Sequence, residues 1–155
     1  MATGKTTSRY VTVTLDDSAG TPRNITNSIT SIGGIGLSYD QVDVTTFADS
    51  VMQYLAGRGD SAIELGGQFN NTAVAAAPSE SGAHPVLTSL NGANTAATLA
   101  ISIGVRAAPT TGDPKFSGEY TCLSYVLSGD MSSMTWTASF KPAFGTATPA
   151  WGTVS

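Results

Sequence analysis

The chain has 155 residues, enough for one domain with a sizeable core. Only 12% of its residues are charged, whereas 22 are Thr, 18 Ser and 17 Gly, and the formal net charge is −4. This balance argues against an electrostatic grip on phosphates, and a hydroxyl-rich surface with few ions can be buried against copies of itself without stranding charge.

Residues Met1 to Ser8 are small and polar and read as an arm. Tyr10 to Leu15 alternates, with Val11, Val13 and Leu15 inward and Thr12 and Thr14 outward, the pattern of a half-buried strand. Asp16-Asp17-Ser18-Ala19-Gly20 is a turn cluster that Pro22 prolongs. Across Asn24 to Ile32, Ile25, Ile29 and Ile32 stand at helical spacing, but Thr26, Thr30 and the Gly33-Gly34 pair discourage a helix. A short strand and one irregular turn are expected there. Ile35 to Thr46 alternates in one phase through Ile35, Leu37 and Tyr39 and in the other through Val42 and Val44, which predicts a bulge or bend. Phe47 to Asp60 is expected as a long loop, longer than a hairpin needs and therefore in contact with something. Ser61 to Phe69 sets Ile63, Leu65 and Phe69 against Glu64 and Gln68, again a half-buried strand.

Asn70 to Gly82 is rich in Ala, Ser and Pro and leads into the one convincing helix, Pro85 to Asn91. Proline suits a first helical turn, Val86, Leu87 and Leu90 form an apolar stripe, and Gly92 provides the stop. About two turns long, this helix must be held by packing. Ala97 to Val105 places Leu99, Ile101, Ile103 and Val105 on one face. Lys115 to Leu127 is apolar on both faces, with Tyr120, Cys122 and Val126 on one side and Leu123, Tyr125 and Leu127 on the other. Such a strand belongs in a sheet centre or at a subunit contact. Ser132 to Lys141 alternates Met134, Trp136, Ala138 and Phe140 with hydroxyl residues. The tail from Pro142 to Ser155 carries Phe144 and Trp151 without periodicity, which fits a segment docked on a neighbour. The expected fold is all-β: a sandwich or partly closed barrel of about seven or eight strands with one short flanking helix.

Little in the sequence points to catalysis or a cofactor. His84 is the only histidine, so a zinc site or a histidine-dependent triad lacks its usual parts. Its place before Pro85 favours a structural role. Cys122, the one cysteine, excludes an intrachain disulfide framework and reads as a buried, inert thiol. Gly4-Lys5-Thr6 has neither the earlier glycine nor the strand of a phosphate-binding loop, and Gly33-Gly34-Ile35-Gly36 lacks dinucleotide-binding spacing. Arg58-Gly59-Asp60 is more simply loop composition than an adhesion tripeptide. The sequons at Asn24 and Asn70 matter only in a secreted protein, and the apolar-free N-terminus predicts no signal peptide. No stretch is apolar for long enough to span a bilayer, so a soluble chain made in the cytoplasm is expected. Acidic residues are scattered singly, without the surroundings of an acid/base couple. No catalytic residue, metal or cofactor is expected.

The run Asp43-Val44-Thr45-Thr46-Phe47-Ala48-Asp49-Ser50, then a Gly-containing loop, then Ser61-Ala62-Ile63-Glu64-Leu65-Gly66-Gly67-Gln68-Phe69, resembles the major tail tube proteins of long-tailed bacteriophages. In these a D-V-T-T-F-x-D segment precedes a strand of the form S-x-x-x-x-G-x-F, and the likeness in element order runs from Arg9 to Phe140. The resemblance implies six subunits closing into a ring, rings stacking into a hollow tube in the virion tail, and DNA passing through without specific binding. Implied partners are further copies of the chain, a tape measure protein, a tail terminator and baseplate or tail-tip proteins, with no membrane. It also places subunit or ring contacts at Thr45, Thr46, Phe47, Tyr54, Arg58, Asp60, Phe144 and Trp151, and along the arms Met1 to Ser8 and Lys141 to Ser155. Asp40, Glu64 and Glu119, on strands, are the candidate lumen-facing acids. Two other classes compete. An extracellular β-sandwich binding glycan or a cell surface would need exposed aromatics; Trp136 alternates with core residues, but Trp151 qualifies. A small hydrolase using scattered carboxylates has no visible constellation.

Overall fold

The computed structural model describes residues 4–105 and 107–155. Among these lie ten strands and one α-helix: β1 Val11–Asp16, β2 Pro22–Asn24, β3 Ile29–Gly33, β4 Ser38–Asp43, β5 Tyr54–Asp60, β6 Ile63–Gln68, α1 Ala83–Leu90, β7 Ala97–Ile103, β8 Pro114–Gly129, β9 Met134–Pro142 and β10 Ala150–Thr153. Eight strands form one antiparallel sheet in the order β2-β1-β7-β8-β9-β6-β3, with β10 attached to β8. The other two, β4 and β5, pair only with each other as a separate arm. The all-β expectation with one short helix holds. The strand count is higher because β2, β5 and β10 arise from segments expected as turn, as loop and as a tail docked on a neighbour.

One face of the large sheet is apolar and wraps the core. Val13 and Leu15 from β1, Leu99 and Ile101 from β7, Phe116 and Tyr120 from β8, Trp136 and Phe140 from β9, and Ile63 and Leu65 from β6 are all buried. Helix α1 closes over them with Val86, Leu87 and Leu90. It begins two residues before Pro85, which therefore sits in the first turn as its missing N–H requires, although not at the first position. The first free helical N–H groups find partners outside the helix: Ala83 donates to Ser28 Oγ (3.2 Å) and His84 to the Asn70 carbonyl (3.1 Å). At the other end Gly92 takes φ +71° and donates its N–H to the Cys122 carbonyl (3.1 Å), tying the helix stop to β8.

The long strand β8 is central, as its two-sided apolarity predicts, but its faces divide differently. Cys122 pairs with Phe140 and Ser124 with Ser139, so Leu123 is an extra residue that shifts the register. Beyond it the alternation inverts. Tyr125 continues the inward side with Tyr120 and Cys122, while Leu123 and Val126 are exposed.

The N-terminal segment is tied down from Thr6, whose hydroxyl donates to the Gly104 carbonyl; the first three residues of the expected arm lie outside the described part. The C-terminal tail docks on its own chain. Trp151 pairs opposite Phe116, with ring centroids 5.1 Å apart, and Val154 donates its N–H to the Asp113 carbonyl (2.8 Å). A backbone ladder to β8 explains how a segment without side-chain periodicity becomes a strand.

Candidate assembly surface

Here the sequence expectation changes most. Phe47 to Asp60 is not a long loop, because Tyr54–Asp60 pairs with Ser38–Asp43 to make a hairpin arm. Strand β5 is hard to see in sequence since Gly57 and Gly59 hide it. Both glycines leave room for side chains across the pair: a Cβ on Gly59 would meet the Tyr39 ring at 2.8 Å and one on Gly57 would meet Val42 Cγ2 at 2.9 Å, so those side chains would have to shift. Tyr39 covers the glycine opposite it, an arrangement that restores side-chain packing to a bare stretch of strand. The expected irregularity falls between Tyr39 and Gln41, but the extra residue is on β5, where Gly57 and Arg58 both oppose Asp40.

The motif residues at the tip build the turn. Asp43 accepts the Thr45 N–H (2.9 Å), and Thr45 Oγ1 accepts the Gln53 N–H (2.8 Å). Asp49 accepts both the Thr46 N–H (2.7 Å) and its hydroxyl (3.0 Å). Thr45, side chain and backbone, holds the Asp43 carboxyl below its ordinary range. Four short polar side chains thus fix the backbone, and the result is to hold Phe47 outward with 113% relative exposure. Around it Tyr39, Val42, Val44, Val51, Met52, Tyr54 and Leu55 are exposed as well.

At the root, the arm is fastened to the sheet. Ser61 Oγ donates to the Gly36 carbonyl (2.8 Å) and pairs with the buried Tyr120 hydroxyl (2.7 Å). Asp60 forms an ion pair with Lys141 of β9 and accepts the Ser61 N–H; the Lys141 bond holds its carboxyl low.

The predicted contact residues therefore divide. Thr45, Thr46, Phe47 and Tyr54 gather on the arm, Arg58 lies on its strand β5, and Asp60 is at its root. Phe144 stands alone with 103% exposure in the tail, and Trp151 is 52% exposed over Phe116. The acids divide too. Asp40 is on the arm, whereas Glu64 and Glu119 project from the large sheet on the side away from the core. Thr98 Oγ1 donates to Glu119, and Asp16 lies beside them. Burial raises the Asp16 carboxyl, the Thr98 hydrogen bonds oppose this, and the charges of Glu119 and Asp17 add to it. This outer face is otherwise hydroxyls, among them Thr12, Thr14, Ser102, Ser117, Thr137 and Ser139, with Lys115 and Lys141.

Sequence reasoning missed a second exposed apolar region. The β8–β9 hairpin leaves Leu123 and Val126 exposed on the outer face, and Leu127, Met131 and Met134 exposed towards its end, beyond the core. The signal was the two-sided apolarity of β8, but it gave no indication that the exposed side begins at Leu123. His84 and Cys122 behave as structural groups. His84 Nδ1 lies 2.9 Å from the Tyr125 hydroxyl and its ring packs on Phe69, while burial pushes the Cys122 thiol up to about 11. Trp136 is buried with Nε1–H donated to the Gln68 carbonyl (2.9 Å). Among the described residues no group of three or more potential metal ligands comes together, and no helix is long and apolar enough to cross a membrane.

The architecture is thus an all-β domain in which one antiparallel sheet wraps a core and a separate hairpin arm carries uncovered apolar residues. Its fold recurs in large tail and injection assemblies. A chain in the virion of a native gene transfer agent particle superposes with a TM-score of 0.70 at 12% identity, over 96% of this chain and 99% of that one. A chain in the tail of an empty gene transfer agent particle, helically refined with C6 symmetry, gives 0.66 at 14% identity over 97% and 100%. A chain in the extended sheath–tube complex of an extracellular contractile injection system gives 0.63 at 14% identity over 99% and 95%. At such identities the likeness is one of fold. No family model and no curated protein matches the sequence.

Proposed function

We propose that this chain is a structural, non-enzymatic virion protein: the subunit of a phage tail tube, assembling into six-membered rings that stack into a conduit for DNA. The β4–β5 arm carries the reading. A two-stranded hairpin is marginal alone in water, yet this one exposes eight large apolar side chains along its length, and its tip is fixed by four polar ones. Apolar patches of that kind mark interaction surfaces. The fold neighbours supply the kind of assembly, since they come from virion, tail and sheath–tube structures, one refined with C6 symmetry. Others come from a baseplate and a tube-terminating cap, in keeping with terminator and baseplate partners; a tape measure protein in the lumen follows from the tail tube reading itself.

A conduit for DNA must not hold it. Six copies at −4 each carry −24 formal charges per ring. Any share facing the lumen repels phosphate over about a Debye length, ~8 Å. The outer face of the sheet, hydroxyl-covered with Glu64, Glu119 and Asp16 against Lys115 and the Asp60-paired Lys141, suits such a wall, and the location that follows is the virion tail. Size-exclusion chromatography with light scattering, followed by negative-stain microscopy of the concentrated protein, tests the reading. Rings or tubes are expected; a protein that stays monomeric at high concentration overturns it.

A further inference from the structure

We infer that the arm tip of one copy seats in an apolar trough between β1 and β3 of a second copy; this deepens the tube reading and rests on it. The trough has a volume of about 280 Å³ and is lined by Val11, Val13, Ile29, Ile32 and Ile35 with the small polar side chains of Ser8 and Thr30 among them. Its position follows from the strand order. Strand β3 ends the sheet, so among the described residues its edge away from β6 carries no strand. On the opposite wall, β2 pairs with β1 only from Thr14 to Asp16. Val13 is satisfied by Ile25 and Thr26, and Val11 and Thr12 face the gap without a strand beside them on that edge.

A second copy is the occupant for three reasons. First, the tip is uncovered and the trough open in the same molecule, so the chain does not close the contact on itself. Second, among the described residues no charged residue lines the trough, and between Thr45 and Gln53 the tip carries only Asp49, whose carboxylate is already held by Thr46. Burying one against the other strands no ion. Third, Phe47, Val51 and Met52 at the tip are the most exposed apolar side chains of the arm, and an uncovered apolar patch of that kind marks a surface made to be buried on another chain. Tip and trough are different surfaces, so the contact is head-to-tail and propagates from copy to copy.

Single-cysteine variants test this with the anchors Phe47, Val51 and Met52 left in place. Ala48→Cys protein is mixed with Thr30→Cys protein, and in a second pair Ser50→Cys with Ser8→Cys; all four positions are exposed, and native Cys122 is buried. Mild oxidation at assembling concentration is expected to give a disulfide-linked heterodimer as the main product in either pair, and little when Ala48→Cys is mixed with Ser128→Cys. Rings or tubes by microscopy without either heterodimer, or with the Ser128 control linking equally well, overturn the trough assignment and leave the tube reading standing. Absence of any assembly overturns both.

Discussion

A methyl group added at Gly67 would lie 1.7 Å from the Ser28 carbonyl oxygen, backbone against backbone. Gly67→Ala is therefore expected to destabilise the fold by about 3 kcal/mol, read as a lower urea midpoint with an unchanged slope. Asp17 gives a pH-dependent case. Burial pushes its carboxyl up, but the Thr21 N–H, the Arg23 guanidinium and the Ala19 N–H outweigh this and hold it below 3.8. A folded-state value below the unfolded one stabilises the protein fully above 3.8, and the contribution drains away as pH falls through the lower folded value. Asp17→Asn should accordingly lower the melting temperature by a few degrees at pH 7, and the gap should close well below pH 3.8. At this scale the sequence was legible where chemistry is local. The turn role of Asp17 and the inert character of Cys122 follow from neighbours in the chain. The need for glycine at 67 does not, because Ser28 reaches it only through the pairing of β3 with β6.

Elements differ in how far their own residues define them. Strands β1, β7 and β9 and the stripe of α1 announce themselves by period, because one face of each is buried and the other is not. The arm does not, since β4 is exposed along its whole length and has no buried face to impose a pattern. Replacing Thr45–Met52 by a two-residue Asn-Gly turn, which suits a tight hairpin between Val44 and its partner Gln53, should leave the melting temperature of the body within about 2 °C. The same variant should yield only monomers by light scattering. A marked loss of thermal stability would instead show that the tip supports its own chain. Likewise β10 exists because β8 offers backbone partners, and nothing in PAFGTATPAWGTVS alone distinguishes docking on its own chain from docking on a neighbour.

For the whole molecule, charge decides how a tube would treat its cargo. Glu64 and Glu119 share the outer sheet face, whereas Asp40 rides on the arm, so only the first two are tested together. Glu64→Lys with Glu119→Lys, two reversals of two units each, takes the chain from −4 to 0. Tubes are expected to form as before while DNA release slows and becomes steeply salt-dependent, because lysines facing the lumen would retain phosphate through counterion release. Normal release kinetics from tubes built of this variant would remove these two acids from the lumen.

By itself the sequence determined the class: a low-charge, hydroxyl-rich, all-β chain with one short helix. These follow from composition, alternation and short-range hydrogen bonding, all of which act between residues near one another in the chain. Only the tertiary structure decided that Tyr54–Asp60 is a strand, that Leu123 inverts β8, that the tail folds home onto β8, and that β1 and β3 leave a trough between them. Each depends on which backbone edge finds which partner across tens of residues, and a strand exposed on both faces, as β4, β5 and β10 largely are, carries little side-chain pattern to specify that partner.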